Sequence, residues 1–161
     1  FTENKKFYFF WQEYEILFDN ENENIYYDGM NFFLHKKHKN NVKEKFLSFY
    51  KKEARKYIEN RLNEISCIND IHFNKLRITS AKTRWWSCTS AKNLNFSFRL
   101  IMSPVKTIDY VIVHEMAHLT HMNHSKNFWW LVDFMYRKIY PLDYKMEKKW
   151  LKDNWNKLMY L

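Results

Sequence analysis

The segment His114-Glu115-Met116-Ala117-His118-Leu119-Thr120-His121-Met122-Asn123-His124 holds four of the chain's seven histidines, and the first two bracket a glutamate as H-E-x-x-H. On an α-helix, residues four apart lie one turn up the same face. His114 and His118 can then place ring nitrogens roughly 3 to 3.5 Å apart, as two ligands of one ion at about 2.0 to 2.1 Å require. Glu115 lies on the flank of that face, where it can act as general base on a metal-bound water without being a ligand. A zinc hydrolase is the leading reading, and a solvated polar helix face is the bland one. The further histidine at a fixed downstream spacing makes chance a poor explanation of the cluster.

Helix phase points the same way. Val105, Ile108, Ile112, Met116 and Leu119 form one apolar stripe, and His114 and His118 sit well round from it at 100° per residue. Ser103-Pro104 reads as a helix start, with an N-cap hydroxyl before a proline at the first helical position. Asn123 is the residue expected to take a left-handed conformation at the helix end. A catalytic zinc takes three protein ligands plus water, so a third ligand is needed. His121 would lie about 10 Å along a straight helix from His114, too far to share an ion easily. A turn at Met122 and Asn123 folds His124 back towards the metal, which favours His124, while His121 and the distal carboxylate Glu147 stay open as candidates.

The 161 residues fit one domain, spanning 1–161, with 20% aromatic and 46% hydrophobic residues, a composition that excludes disorder. No apolar run reaches the 18 or so residues of a membrane span, so no membrane partner is expected. The chain opens Phe1-Thr2-Glu3, with neither an initiator methionine nor a secretory pattern, which points to N-terminal trimming. Cys67 and Cys88 form no C-x-x-C and read as reduced thiols of a cytoplasmic protein. The net charge of +9 is uneven: residues 1–30 carry seven acidic and two basic side chains, residues 36–61 ten basic and three acidic. Only six of the 27 basic residues are arginine, so the basic segment reads first as a solvated helix face and second as a weak, sequence-independent nucleic-acid contact.

Residues 7–18 and 25–34 are aromatic and β-rich, with turn signals at 19–24 and Asp28-Gly29, and read as two or three short strands of one small sheet. The spacing of Phe46, Phe49 or Tyr50, Tyr57, Ile58, Leu62 and Ile65 predicts one long amphipathic helix over Val42–Ile65. Two strands follow, Leu76–Thr79 and the alternating Leu94–Met102. A helix is expected after the histidine cluster through Phe128, Leu131, Val132, Met135 and Ile139, stopped by Pro141, with a last helix over Leu142–Leu158. His35, His38 and His72 read as surface or turn residues.

Read together, Lys82-Thr83-Arg84-Trp85-Trp86-Ser87-Cys88, Leu100 to Pro104, Asp109-Tyr110-Val111-Ile112-Val113-His114-Glu115 and Asn123-His124-Ser125 with Phe128-Trp129 resemble the YgjP-like metallopeptidase-domain family, which is related to SprT-like and other zincins. The likeness covers most of the chain. It implies a zincin-like α+β fold: a small N-terminal sheet, a long basic helix, a short sheet and the H-E-x-x-H helix. It also implies zinc on His114, His118 and His124, with Glu115 as the catalytic glutamate. One departure stands out, because Trp86 occupies the place of a family glycine. Either the turn differs here or the glycine served close packing.

The expected activity is hydrolysis of peptide bonds in a peptide or protein substrate, through a zinc-bound water activated by Glu115. Arg84, Tyr110 and Tyr136 are the candidate substrate-binding groups for the carbonyl oxygen. The edge of the 94–102 strand is a candidate for pairing with an extended peptide. A metal-dependent nucleoside triphosphate pyrophosphohydrolase is the competing activity that the resemblance carries, although Gly29 is the only glycine and no phosphate loop exists. A zinc-containing binding module for nucleic acid is the third reading.

Overall fold

A computed structural model describes residues 7–82 and 86–160. Its elements are β1 (Phe7–Phe9), β2 (Gln12–Tyr14), β3 (Ile16–Asp19), β4 (Tyr26–Tyr27), β5 (Phe32–His35), α1 (Val42–Asn69), β6 (Lys75–Thr79), β7 (Trp86–Cys88), β8 (Asn93–Ser97), α2 (Val105–Ala117), α3 (Lys126–Ile139) and α4 (Lys145–Asn154). Short 3-10 turns cover Lys36–His38, Phe98–Met102 and Trp155–Tyr160. The architecture is α+β, with small sheets and four helices. None of these helices is long and apolar enough to cross a membrane.

The N-terminal region differs from the expected single sheet. Five strands form two units, an antiparallel β1-β2 hairpin and a sheet of order β3-β5-β4 in which β3 and β5 run parallel. The hairpin turns at Phe10 and Trp11, both at positive φ (49° and 66°), a conformation that normally calls for Asn-Gly. Packing and backbone bonding offset that strain. The Phe10 and Trp11 N–H groups donate to the carbonyls of Ile101 and Met102 at 3.0 Å each, and the Trp11 indole meets Trp150 edge-on at 4.7 Å.

Helix α1 forms because Val42, Phe46, Tyr50, Ala54, Ile58, Leu62 and Ile65 recur on one face, and all seven are buried. Each large apolar side chain buried there contributes roughly 1.5 to 3 kcal/mol. The Tyr50 hydroxyl stays satisfied by donating to the Tyr8 carbonyl at 2.8 Å. The helix runs four residues past Ile65, to a left-handed Asp70 whose N–H donates to Ser66. The basic residues Lys51, Lys52, Arg55 and Lys56 face outward.

The strand expected over 94–102 stops at Ser97. There Ser97 Oγ accepts the Arg99 N–H and the chain winds into the 3-10 turn Phe98–Met102, whose five residues are all buried. Alternating large apolar residues therefore reflected burial on every side rather than a pleat. Strand β8 is the centre of a sheet of order β6-β8-β7, parallel to β6 and antiparallel to β7. Helix α2 begins at Val105 with Pro104 as its N-cap and no side-chain cap, and the buried Ser103 hydroxyl has no hydrogen-bond partner among the described residues.

Helix α2 is enclosed on nearly all sides: Thr107 to Val113 and Glu115 to Ala117 are buried, and only His114 among residues 107–117 is partly open. Its polar groups find partners on other helices. Asp109 takes a two-pronged pair from Arg61 of α1 (Nε to Oδ1 2.9 Å, Nη2 to Oδ2 2.7 Å), and the Tyr140 hydroxyl donates to Oδ2 at 2.6 Å. The Thr107 hydroxyl donates to Glu147 of α4 at 2.6 Å. Asp109→Ala leaves Tyr140 unpaired and Arg61 with only Glu64, so urea denaturation is expected to show a loss of about 3 kcal/mol. Adding Arg61→Met should recover part of it, and a single-variant loss below about 1 kcal/mol would contradict this account.

Candidate metal centre

Helix α2 delivers His114 in its last turn and ends at Ala117, with His118 as the C-cap. His121 is thus off the helix. Its N–H donates to the Ala117 carbonyl at 2.9 Å, and its own carbonyl lies 3.0 Å from His118 Nδ1. That contact fixes His118 as the tautomer carrying its proton on Nδ1 and leaves Nε2 with a free lone pair. The chain then bends back without a left-handed residue at Asn123, which is not among the positive-φ positions. Ser125 caps α3 by accepting the Phe128 N–H at 3.3 Å.

This bend brings His124 to the pair on α2. One ligating nitrogen from each of His114, His118 and His124 lies within 4.8 Å of the other two, and His114 Nε2 and His124 Nε2 are 3.2 Å apart. Donors sharing a tetrahedral ion stand roughly 3.3 Å apart. The residues therefore fit a single metal ion with nitrogen ligands. Neither His121 nor Glu147 joins them: the His121 imidazole lies outside this cluster, and the Glu147 carboxylate is engaged by Thr107.

The aromatic pair Phe128-Trp129 holds the three rings. Phe128 is fully buried, with its centroid 5.0, 4.4 and 4.7 Å from those of His114, His118 and His124. Trp129 stacks on His124 at 5.5 Å, Tyr144 stacks on Trp129 at 5.8 Å, and Tyr110 stacks on Tyr144 at 5.7 Å. These four rings make a continuous pile from the third histidine to α2. Sequence reading misses this role: Trp129 stands only in the motif that carries the family resemblance, and nothing singles out Tyr144.

Electrostatics at the site are unfavourable to charge. Burial, then repulsion from His118, His124 and Lys148, pushes the His114 imidazole down to about 3, and burial also lowers His118. Neutral imidazoles are the metal-binding form. Glu115 is buried, its Oε1 is 3.9 Å from His114 Nε2, and its Oε2 has no partner among the described residues. Burial raises its carboxyl to about 8, against the opposing bond from the backbone N–H of Cys88. Strand β7 thus lies directly over the glutamate. In turn, burial and then the nearby Glu115 push the Cys88 thiol up to about 11.

Other anticipated residues fall in different places. Tyr110 lines an open cleft of about 670 Å³ beside His114 and His124. Tyr136 is fully buried behind it, its ring edge-on to Tyr110 at 6.5 Å, and so cannot touch a substrate. Arg84 lies outside the described residues. Trp86 sits in extended β7 opposite Phe96, so this position needs no positive φ, and its indole lines the same cleft. The 93–97 strand is paired on both sides, and the outer edge beside the histidines belongs to β7 instead.

A family model described as YgjP-like, metallopeptidase domain, matches residues 1–154. The chain belongs to this family. No curated protein matches it. Its fold is similar to the crystal structure of the metallopeptidase zymogen of Pyrococcus abyssi abylysin, with a TM-score of 0.50 over 60% of this chain and 93% of that one. The two share 20% identity, and the likeness speaks for the fold alone. Family membership makes the chain a metallopeptidase-domain protein and implies a metal ion, for which the three histidines are a fitting ligand set.

The site makes two predictions. Unfolded Glu115 ionises near 4.5, whereas the folded metal-free chain keeps the proton up to about 8. The folded state binds more protons between these values, so stability falls as pH rises from about 5 to 8. Glu115→Gln removes that slope, while the opposite histidine effect, a loss as pH falls below about 6.5, is common to both proteins. Thermal melts after chelation should show the variant gaining several degrees over wild type at pH 8 and little at pH 5; parallel profiles would refute this. Iodoacetamide at pH 8 should modify exposed Cys67 well before Cys88, read by peptide mass spectrometry.

Proposed function

We propose that this chain is a zinc metallopeptidase of the zincin type, working as one unit over residues 1–161, with His114, His118 and His124 as metal ligands and Glu115 as general base. The observation that carries the reading is the convergence of three imidazoles beside a buried carboxyl group, one of whose oxygens has no partner among the described residues. An all-imidazole donor set with room for a fourth ligand favours zinc over the oxygen-seeking magnesium and calcium.

Bound there, zinc would lower the pKa of a coordinated water towards 7 and polarise a carbonyl oxygen. The remaining work falls to the chain. Glu115 takes a proton from the attacking water at Oε2 and hands it to the nitrogen of the leaving amine. The Cys88 N–H holds the carboxylate in place, and burial keeps competing bulk water away. Tyr110 reaches the cleft one turn before His114. Burial raises its pKa, so its hydroxyl stays protonated and can donate to the substrate carbonyl. Strand β7 ends the sheet beside Glu115 and carries Trp86 into the cleft, which supports a peptide or protein substrate running alongside it over a nucleotide.

Metal content and cleavage of an unfolded protein substrate test the assignment. His114→Ala, His118→Ala and His124→Ala should each lose most bound zinc, His121→Ala should keep it, and Glu115→Gln should keep zinc but lose at least about a hundredfold in turnover. Full zinc in His124→Ala, or undiminished turnover in zinc-loaded Glu115→Gln, would overturn it.

A further inference from the structure

The cleft beside the histidines has a chemical character that the peptidase reading leaves open. Its volume of about 670 Å³ falls within the span of ligand-binding clefts, roughly 300 to 1,000 Å³. Three large aromatic side chains, Trp86, Tyr110 and Trp129, form its walls together with Leu151, and His114 and His124 open into one end. Such walls bury a bulky apolar group next to the reacting centre. The rim is different. Lys148 and Lys152 stand one turn apart on α4, both line the cleft, and both side chains are exposed.

Neither lysine is committed to an ion pair among the described residues. Their neighbour Lys145 pairs with Asp143 at 3.5 Å, but no acidic partner lies within ion-pair distance of Lys148 or Lys152 among the described residues. No acidic residue is found among those lining the cleft. Lys148 Nζ lies 3.9 Å above the Trp129 ring, so its charge is held on the apolar wall and not spread into solvent. From there it is also close enough to disfavour protonation of His114. The cleft therefore presents two uncompensated positive charges at the edge of an aromatic slot.

Resting on the peptidase reading of the site, we propose that this cleft selects peptides placing a large apolar side chain between Trp86, Tyr110 and Trp129, with a carboxylate beside it held by Lys148 and Lys152. That carboxylate comes from an adjacent Asp or Glu, or from the C-terminus of the peptide. A rim contact of this kind, two exposed lysines of which Lys148 lies over a tryptophan, corresponds to roughly a three- to tenfold preference over an uncharged group.

Binding tests the selection apart from cleavage. The zinc-loaded Glu115→Gln protein is titrated, by isothermal calorimetry, with blocked peptides that differ only in one group: Phe-Glu, Phe-Gln and Phe-Lys with amidated ends, and Phe-Gln with a free C-terminus. The Phe-Glu peptide should bind three- to tenfold tighter than Phe-Gln, Phe-Lys weakest, with the advantage shrinking in 0.5 M salt. Tighter binding of free-ended Phe-Gln than of Phe-Glu assigns the lysines to a terminal carboxylate, and the reverse assigns them to an acidic side chain. In K148Q/K152Q the ratio of affinities between the carboxylate-bearing peptides and amidated Phe-Gln should fall to about one, with circular dichroism and zinc content checking that the fold and the site are retained. If neither amidated Phe-Glu nor free-ended Phe-Gln binds tighter than amidated Phe-Gln, or if the preference survives in the double variant, the proposal is overturned. Wild-type zinc enzyme that cleaves no peptide while the binding preference holds overturns the peptidase reading and leaves the cleft assignment standing.

Discussion

The buried carboxylate of Asp109 is the constraint on which the site depends. A charge on a helix enclosed by other elements is tolerable only if its hydrogen-bonding capacity is filled, and here Arg61 fills it from α1 and Tyr140 from the residue that caps α3. Because the pair is two-pronged, it sets the rotation of α2 about its axis as well as its position. His114 stands five residues further along the same helix. A rotational error at Asp109 would carry straight through to the imidazole, so the pair orients His114 without touching it.

Burial and hydrogen bonding then divide the labour around the histidines. Burial keeps His114 and His118 neutral, and the His121 carbonyl selects the His118 tautomer. Phe128 supplies a common floor to all three rings, while Trp129 supports His124, which sits on a turn and not on a helix. Glu115 is held by a strand N–H at one side and open at the other. This arrangement puts a carboxyl that burial keeps protonated beside three close lone pairs, surroundings that a cation would suit.

Much of this was legible in the residue order. The periodicities of α1, α2 and α3 identified those helices, and the stop-and-return near Asn123 was inferable because His121 on a straight helix would be too far away. The return itself differs in detail: the helix ends at Ala117, and no left-handed asparagine is required. Periodicity failed at 98–102, where every residue is buried and alternation carries no information about pleating. It also failed at Phe10-Trp11, since a tight turn built from two aromatics has none of the usual turn residues and persists only through its docking on Ile101 and Met102. Long-range pairing was invisible throughout: nothing local marks β8 as a central strand, Tyr136 as sealed away, or Lys148 as lying over Trp129.

The pile of rings from His124 through Trp129 and Tyr144 to Tyr110 has a consequence for how the protein can change. Its middle members support the third histidine, and its outer surfaces wall the cleft. On the proposed reading, selectivity and ion retention therefore share the same atoms and cannot drift independently. On that same reading, a lineage exploring new substrates through Trp129 or Tyr110 would disturb the support of the third histidine at each step, which confines innocuous variation to the α4 rim and makes charge, not cavity shape, the adaptable coordinate of this scaffold.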